Sequence, residues 1–304
     1  MKDWQTKIEE ITRVKELALQ QGGDEGVSKQ HDKGRLTIRE RVSSLLDHNS
    51  FQEIGPTAGG GDRDKNGILT SFTPANFVLG FGKIDGRRCV VAGEDFTVKG
   101  GSPNAAGLRK SIYAEHLAIK YKVPLIRLHE GGGGSVGGTG NSSSTVGTPV
   151  YETHRFKVVA EAMAAIPVVT TALGPVAGLP AARLVAAHLS IMSEKNGQVL
   201  IAGPAVVERA LGEKKTKEEL GGSKVHTKNG VIDNPATSEE DAFRQVKTFL
   251  SYLPPNVWEL PPVICTDDKP DRSDNGLRSL VPTDRRKLYD MYKVVSSVLD
   301  ENSF

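Results

Sequence analysis

A chain of 304 residues with 38% hydrophobic content is long enough for one large core with extensions. Its net charge of +2 lacks the basic excess that marks nucleic-acid binders, and no apolar run is long enough to span a bilayer. Its two cysteines, Cys89 and Cys265, lie far apart without metal-ligand spacing. That argues against a disulfide framework and a metal site, and points to a reduced compartment.

The opening residues, Met1-Lys2-Asp3-Trp4, hold no apolar signal core, and the segment is too acidic for a transit peptide. A cytoplasmic location is therefore expected, with the mitochondrial matrix as the alternative. Trp4, Ile8, Ile11 and Leu19 recur at helical spacing and predict an amphipathic helix over residues 4–20. A second helix is expected over 37–46, because Thr37 and Glu40 form the pattern of a capping box. A Gly- and Asp-rich loop follows over 59–67. The apolar runs 77–84 and 88–93 flank Asp85-Gly86, the signature of a two-residue hairpin turn.

From there the pattern alternates. Helices are predicted over 105–121, 155–165 and 180–187, and buried strands over 124–128 and 167–173. Short apolar runs follow at 188–192 and 198–201. Continuous apolar strands between helices indicate an α/β fold with covered sheet faces. A helix capped by Ser238 is expected over 239–253, then a Pro-rich connection to 270, then a last helix over 283–299.

Residues 42–51 read VSSLLDHNSF and residues 295–304 read VSSVLDENSF, identical at eight of ten positions. A repeat of this kind implies a duplicated unit and a second, similar domain; chance similarity of two helix ends is the alternative.

Four constellations carry candidate chemistry. Gly131, Gly132, Gly133 and the glycines up to Gly140 follow a predicted buried strand. Glycine there lets backbone approach a ligand, and adjacent amides can hold an oxyanion. A flexible linker is the other reading. No lysine follows as in a phosphate loop, and the spacing misses the dinucleotide fingerprint. Gly174, Val176, Ala177 and Gly178 stand between the next strand and its helix, where free amides face an anion or carbonyl, or simply make a tight turn. Lys99, Gly100, Gly101 and Ser102 precede a helix and suit a CoA phosphate or adenine, although Ser102 also fits a plain cap. His226, after Gly221-Gly222, has the chemistry of a general base, but a lone histidine is more often structural and receives no catalytic role. No nucleophile–base–orienter set is visible, so the chemistry falls to bound groups.

Together these segments resemble the carboxyltransferase (β) subunits of biotin-dependent acyl-CoA carboxylases of the propionyl-CoA and methylcrotonyl-CoA type. The matching stretches run in family order: GRLTIRER at 34–41, residues 96–102, Gly131-Gly132, residues 174–178, Gly203-Pro204 and residues 219–226. The resemblance implies a crotonase-like α/β fold with an N-terminal helical extension over 1–50. It assigns 51–304 to the acyl-CoA-binding domain, the homologous C-terminal domain being absent from the chain.

It also implies a reaction. A biotin carrier brings carboxybiotin, which releases CO₂; the biotin ureido nitrogen takes the α-proton of an acyl-CoA, and the enolate captures CO₂. Gly131 and Gly132 would supply the oxyanion hole. Lys99, Gly100, Gly101, Ser102, Gly133, Gly174, Val176, Ala177 and Gly178 would line the acyl-CoA site. No metal is implied. The expected partners are acyl-CoA, a biotin carboxylase or carrier subunit, and further copies of the chain in a trimer of dimers. This chain alone is expected to bind acyl-CoA without transferring carboxylate.

One departure stands out: many family members place Ala-Arg after the glycine pair, where this chain has Gly133-Gly134-Ser135-Val136. The four-cysteine zinc ribbon of some bacterial acetyl-CoA carboxylases is also missing. Competing readings are another crotonase-type enzyme, a decarboxylase or a hydratase, or a non-catalytic acyl-CoA-binding module. A hydratase needs paired glutamates, and Glu130 is the only acid beside the glycine tract in sequence.

Overall fold

A computed structural model describes residues 4–102, 104–133, 155–256, 258–269, 271–301 and 303–304. The glycine tract from Gly134 to Gly140 lies outside the described residues, so its predicted role is untouched here. The described chain divides into two compact units, Met1–Glu259 and Leu260–Phe304.

The first unit opens with helices α1 (Trp4–Leu19), α2 (Gly23–His31) and α3 (Ile38–Leu45). Thr37 caps α3 through the predicted reciprocal box with Glu40. Short strands β1 (Gln52–Glu53), β2 (Gly59–Gly60) and β3 (Thr73–Pro74) lead into the hairpin β4 (Phe77–Ile84) and β5 (Arg87–Glu94). Asp85 and Gly86 both take positive φ, 50° and 78°, as the type I′ turn requires. Then come α4 (Ala105–Tyr121), β6 (Leu125–Gly131), α5 (Arg155–Ala165), β7 (Val168–Ala177), α6 (Leu179–Val185), β8 (Leu189–Ser193) and β9 (Gln198–Leu200). The unit closes with α7 (Pro204–Leu211), α8 (Lys217–Gly221), α9 (Ser223–His226), β10 (Asn234–Ala236) and α10 (Glu239–Ser251), the last capped by Ser238 as expected.

The main sheet runs β1-β4-β5-β6-β7-β8-β10, with β9 also on β7. From β5 onward every pairing is parallel, with the connections carried mainly by helices. Its two faces hold separate apolar clusters. On one, α3 and α10 pack Val42, Leu45, Leu46, Phe243, Val246 and Leu250 against Val78, Ile126, Leu128 and Leu173. On the other, α4 and α5 pack Ala114, Leu117, Ala118 and Ala162 against Leu79, Val90, Leu125 and Val168. Helix α3 thus belongs to the sheet's own core. The hairpin is notched to receive it: a Cβ on Gly82 would stand 2.3 Å from Leu46 Cδ1, and one on Gly80 would stand 2.6 Å from the Phe51 ring.

Three differences from the sequence reading have local causes. Helix α2 has no apolar periodicity; it is held by its contact with Thr97, whose Oγ1 accepts from Gly22 N–H at 2.9 Å. Strand β7 runs on to Ala177, past residue 173, because β6 and β9 pair along its glycine-containing end. In the second unit the last helix is shorter than the predicted 283–299: α12 covers Met291–Val298, preceded by α11 (Leu277–Leu280).

Cys89 is fully buried, and burial, with the Asp47 charge, pushes its thiol up to about 12; Cys265 is exposed. A thiol reagent should therefore titrate one cysteine in the native chain and two in denaturant. Because the folded thiol ionises later than the unfolded one (9.0), this group's contribution to stability should fade between pH 9 and about 12.

Candidate functional site

Strands β6 and β7 are parallel neighbours, so their carboxyl ends place residues 131–133 and 174–178 at one edge, where open α/β sheets bind ligands. The register slips between His129 and Gly131, an irregularity that re-aims the end of β6. The two turns then meet backbone to backbone. A Cβ on Gly178, whose φ is +65°, would stand 3.0 Å from Gly133 Cα, and one on Gly133 would stand 3.5 Å from the Ala177 carbonyl.

The third predicted segment joins them. Lys99, Gly100 and Gly101 take positive φ in succession, 52°, 63° and 65°. A Cβ on Gly101 would lie 2.7 Å from the Glu130 carbonyl oxygen and 2.8 Å from Gly131 Cα. Three segments from distant parts of the sequence therefore form one backbone-lined edge. Within it, Lys99 and Gly178 are exposed, while Gly100, Ser102, Gly132, Gly133 and Ala177 are half-buried.

The structure gives two of the predicted residues other work. Val176 is wholly buried in the cluster of Ala172, Ala181, Leu184 and Met192, so it is a core residue rather than a lining one. Gly174 makes room for Glu130: a Cβ there would stand 2.4 Å from the carboxyl carbon. The Gly132 amide, expected as an oxyanion donor, donates to the Gly100 carbonyl at 3.0 Å. Gly131 remains in the β6–β7 ladder, opposite Val176. His226 donates through Nε2 to the Val199 carbonyl at 2.9 Å, the structural role expected of it.

Beneath the edge lie charges that sequence reasoning did not assemble. On the α3 and α10 side, Glu130 is fully buried and contacts Arg35, Arg41 (2.6 Å) and Gln30 (2.6 Å). Arg41 also makes a forked pair with Glu239, at 2.7 and 2.8 Å. Burial alone would lower the Arg41 pKa, but its bonds to Glu239 and the charges of Glu130 and Glu239 raise it overall.

On the α4 and α6 side, Arg127 pairs with Glu115 at 2.6 Å and Arg183 lies 3.0 Å from the same oxygen. His129 Nδ1 approaches Glu94 at 3.1 Å. Burial alone would raise the Glu94 carboxyl; the charge and hydrogen bond of His129, with Arg183 beyond, hold it below the usual range. Glu94 and Arg183 share a small cavity with Asn76, Gly101, Ser111, Leu179 and Pro180. Among the described residues no group of three or more His, Cys, Asp or Glu side chains is arranged to hold a metal. No helix among them is long and apolar enough to cross a membrane.

A family model for the carboxyl transferase domain matches residues 29–304. The chain belongs to the carboxyl transferase family. It is 33% identical over 300 residues to the propionyl-CoA carboxylase carboxyltransferase subunit of Haloferax mediterranei, covering 98% of this chain and 57% of that one. It is 31% identical to the methylmalonyl-CoA decarboxylase subunit alpha of Veillonella parvula, covering 99% and 58%. The transcarboxylase 12S structure with methylmalonyl-coenzyme A bound superposes with a TM-score of 0.75 at 27% identity, over 99% of this chain and 57% of that one. The fold is thus the crotonase-like fold of the carboxyltransferases, as the sequence resemblance implied. This carboxyl transferase chain spans somewhat more than half the length of these relatives.

Proposed function

We propose that this chain is the acyl-CoA-binding half of the carboxyltransferase of a biotin-dependent acyl-CoA carboxylase. The observation that carries the reading is the convergence of the three glycine turns at one edge of the parallel sheet. It forms a backbone-lined edge, half-buried at Gly100, Gly132, Gly133 and Ala177. Amides at such an edge suit a thioester whose oxygen gains charge as the α-proton leaves. Biotin, held on a separate carrier protein, supplies the carboxyl group and accepts the α-proton.

This chain's part is to orient the thioester and hold the enolate oxygen. Gly131 and Gly132 are the proposed donors, with the Gly132 N–H exchanging the Gly100 carbonyl for the thioester oxygen. Lys99 and Ser102 lie beside that exchange, suited to a CoA phosphate. Among the described residues, the carboxylates packed against these turns are already committed, Glu130 to two arginines and Glu94 to His129. That argues against a hydratase, which needs such carboxylates for proton transfer. A decarboxylase sharing the enolate remains a second reading, favoured by the likeness to the Veillonella subunit.

Residues 295–304 support a second, similar domain packing beside this one. The partners proposed are a biotin carboxylase or carrier subunit and further copies of the chain, in a cytoplasmic setting that suits two unpaired cysteines. Calorimetry with propionyl-CoA tests the reading. A Cβ on Gly132 would already stand 3.2 Å from Ser102 Oγ, so the branched Gly132→Val should crowd the two turns apart and weaken binding about tenfold or more. Unchanged affinity in a folded variant would remove the glycine turn from the site.

A further inference from the structure

Glu94 ends β5 and is 5% exposed. A buried carboxylate is costly unless fixed by partners, and here His129 Nδ1 holds both oxygens, at 3.1 and 3.3 Å. The aliphatic stem of Glu94 packs against two of the glycine turns, which also touch each other through their backbones. A Cβ on Gly131 would lie 3.0 Å from Glu94 Cγ, and a Cβ on Gly101 would lie 3.4 Å from Glu94 Cβ. The same two turns are joined by the Gly132 N–H bond to the Gly100 carbonyl.

We propose that Glu94 is a positioning residue: pinned by His129, its stem sets the spacing of the 99–102 and 131–133 turns and so aims the backbone amides at the thioester oxygen. This rests on the acyl-CoA reading above and adds a residue to it. Donors held in place in advance favour the charged enolate over the neutral thioester, because the Gly132 N–H need only change partner while the turns themselves stay where they are. A loosened turn should bind the neutral thioester nearly as well but lose its preference for the anion. That difference separates positioning from a merely structural role.

The experiment measures the affinity of the intact chain for propionyl-CoA and for a CoA thioether carrying a nitronate, which mimics the enolate's charge. The native chain should bind the nitronate about tenfold tighter or better. Glu94→Ala should abolish most of that preference while changing propionyl-CoA affinity by no more than about threefold. Glu94→Gln, with the same stem, should restore it. Should Glu94→Ala fail to fold, Glu94→Asp, one methylene shorter with its charge kept, should show the same loss. A preference retained in Glu94→Ala or Glu94→Asp, or both affinities falling together, overturns the positioning role and leaves the acyl-CoA reading standing. A native chain that binds neither compound overturns the acyl-CoA reading and the inference with it.

Discussion

Replacing Glu130 by alanine is expected to lower the stability of the chain by about 3–5 kcal/mol, read as a large fall in the urea midpoint. The carboxylate is 0% exposed and lies between Arg35 and Arg41, themselves 8% and 1% exposed. Removing it leaves the Arg35 guanidinium without its acid and Arg41 with Glu239 and the Leu173 carbonyl. Breaking a buried pair is costly because the remaining charge has neither water nor a counter-ion, even where the intact pair contributes little. Glu130→Gln keeps the shape and one acceptor and should fall between native and alanine. Gly174→Ala attacks the same network sterically, since its methyl would overlap the Glu130 carboxyl group at 2.4 Å. If Glu130→Ala unfolds at the native midpoint, the ion pairs of Glu130 make no net contribution to stability.

That network also shows what sequence can and cannot deliver. The hairpin turn at Asp85-Gly86, the Thr37–Glu40 box and the Ser238 cap were legible because each is fixed within a few residues. So were β6 and β7, whose short Leu-, Ile- and Val-containing runs between helical segments suit buried strands. Glu130 meets Arg35 from 95 residues away and Arg41 meets Glu239 from 198 away. In sequence, those residues are indistinguishable from solvated surface charges. The pairing of Glu94 with His129 was hidden for the same reason, although the two stand at the carboxyl ends of neighbouring parallel strands.

The glycines were legible as a class and only partly as individuals. Gly133 and Gly178 let the two turns approach each other backbone to backbone. Gly174 serves a buried carboxylate and Val176 serves the core, because both positions face the interior. What a glycine makes room for is a tertiary fact. The signal that could have separated Gly174 was the acid Glu130 at the end of the preceding strand.

The repeated decapeptide makes the last prediction. In the first copy, Leu46 N–H donates to the Val42 carbonyl at 3.1 Å and Ser50 N–H to Asp47 at 3.1 Å. In the second, Leu299 N–H donates to Val295 and Ser303 N–H to Asp300, both at 3.0 Å. The residues ending the two helices, Leu46 and Leu299, share extended dihedrals, −88°/158° and −81°/164°. The same sequence thus makes the same local structure twice. What differs is the covering. Leu45 is 0% exposed and its counterpart Val298 is 64% exposed; Leu46 is 7% exposed and Leu299 is 43%. Asp47 accepts from the turn amides of Asp85 and Gly86 at 2.9 and 2.8 Å, a bond for which Asp300 has the matching side chain. Leu45→Ala should therefore cost about 2–5 kcal/mol by cavity formation. Val298→Ala should change the stability of this chain by less than about 0.5 kcal/mol in the same urea titration. If Val298→Ala proved as costly as Leu45→Ala, its face would already be packed within this chain, and the case for a second domain resting on it would be lost. The asymmetry is the outcome that the proposed second domain requires of these two helix ends.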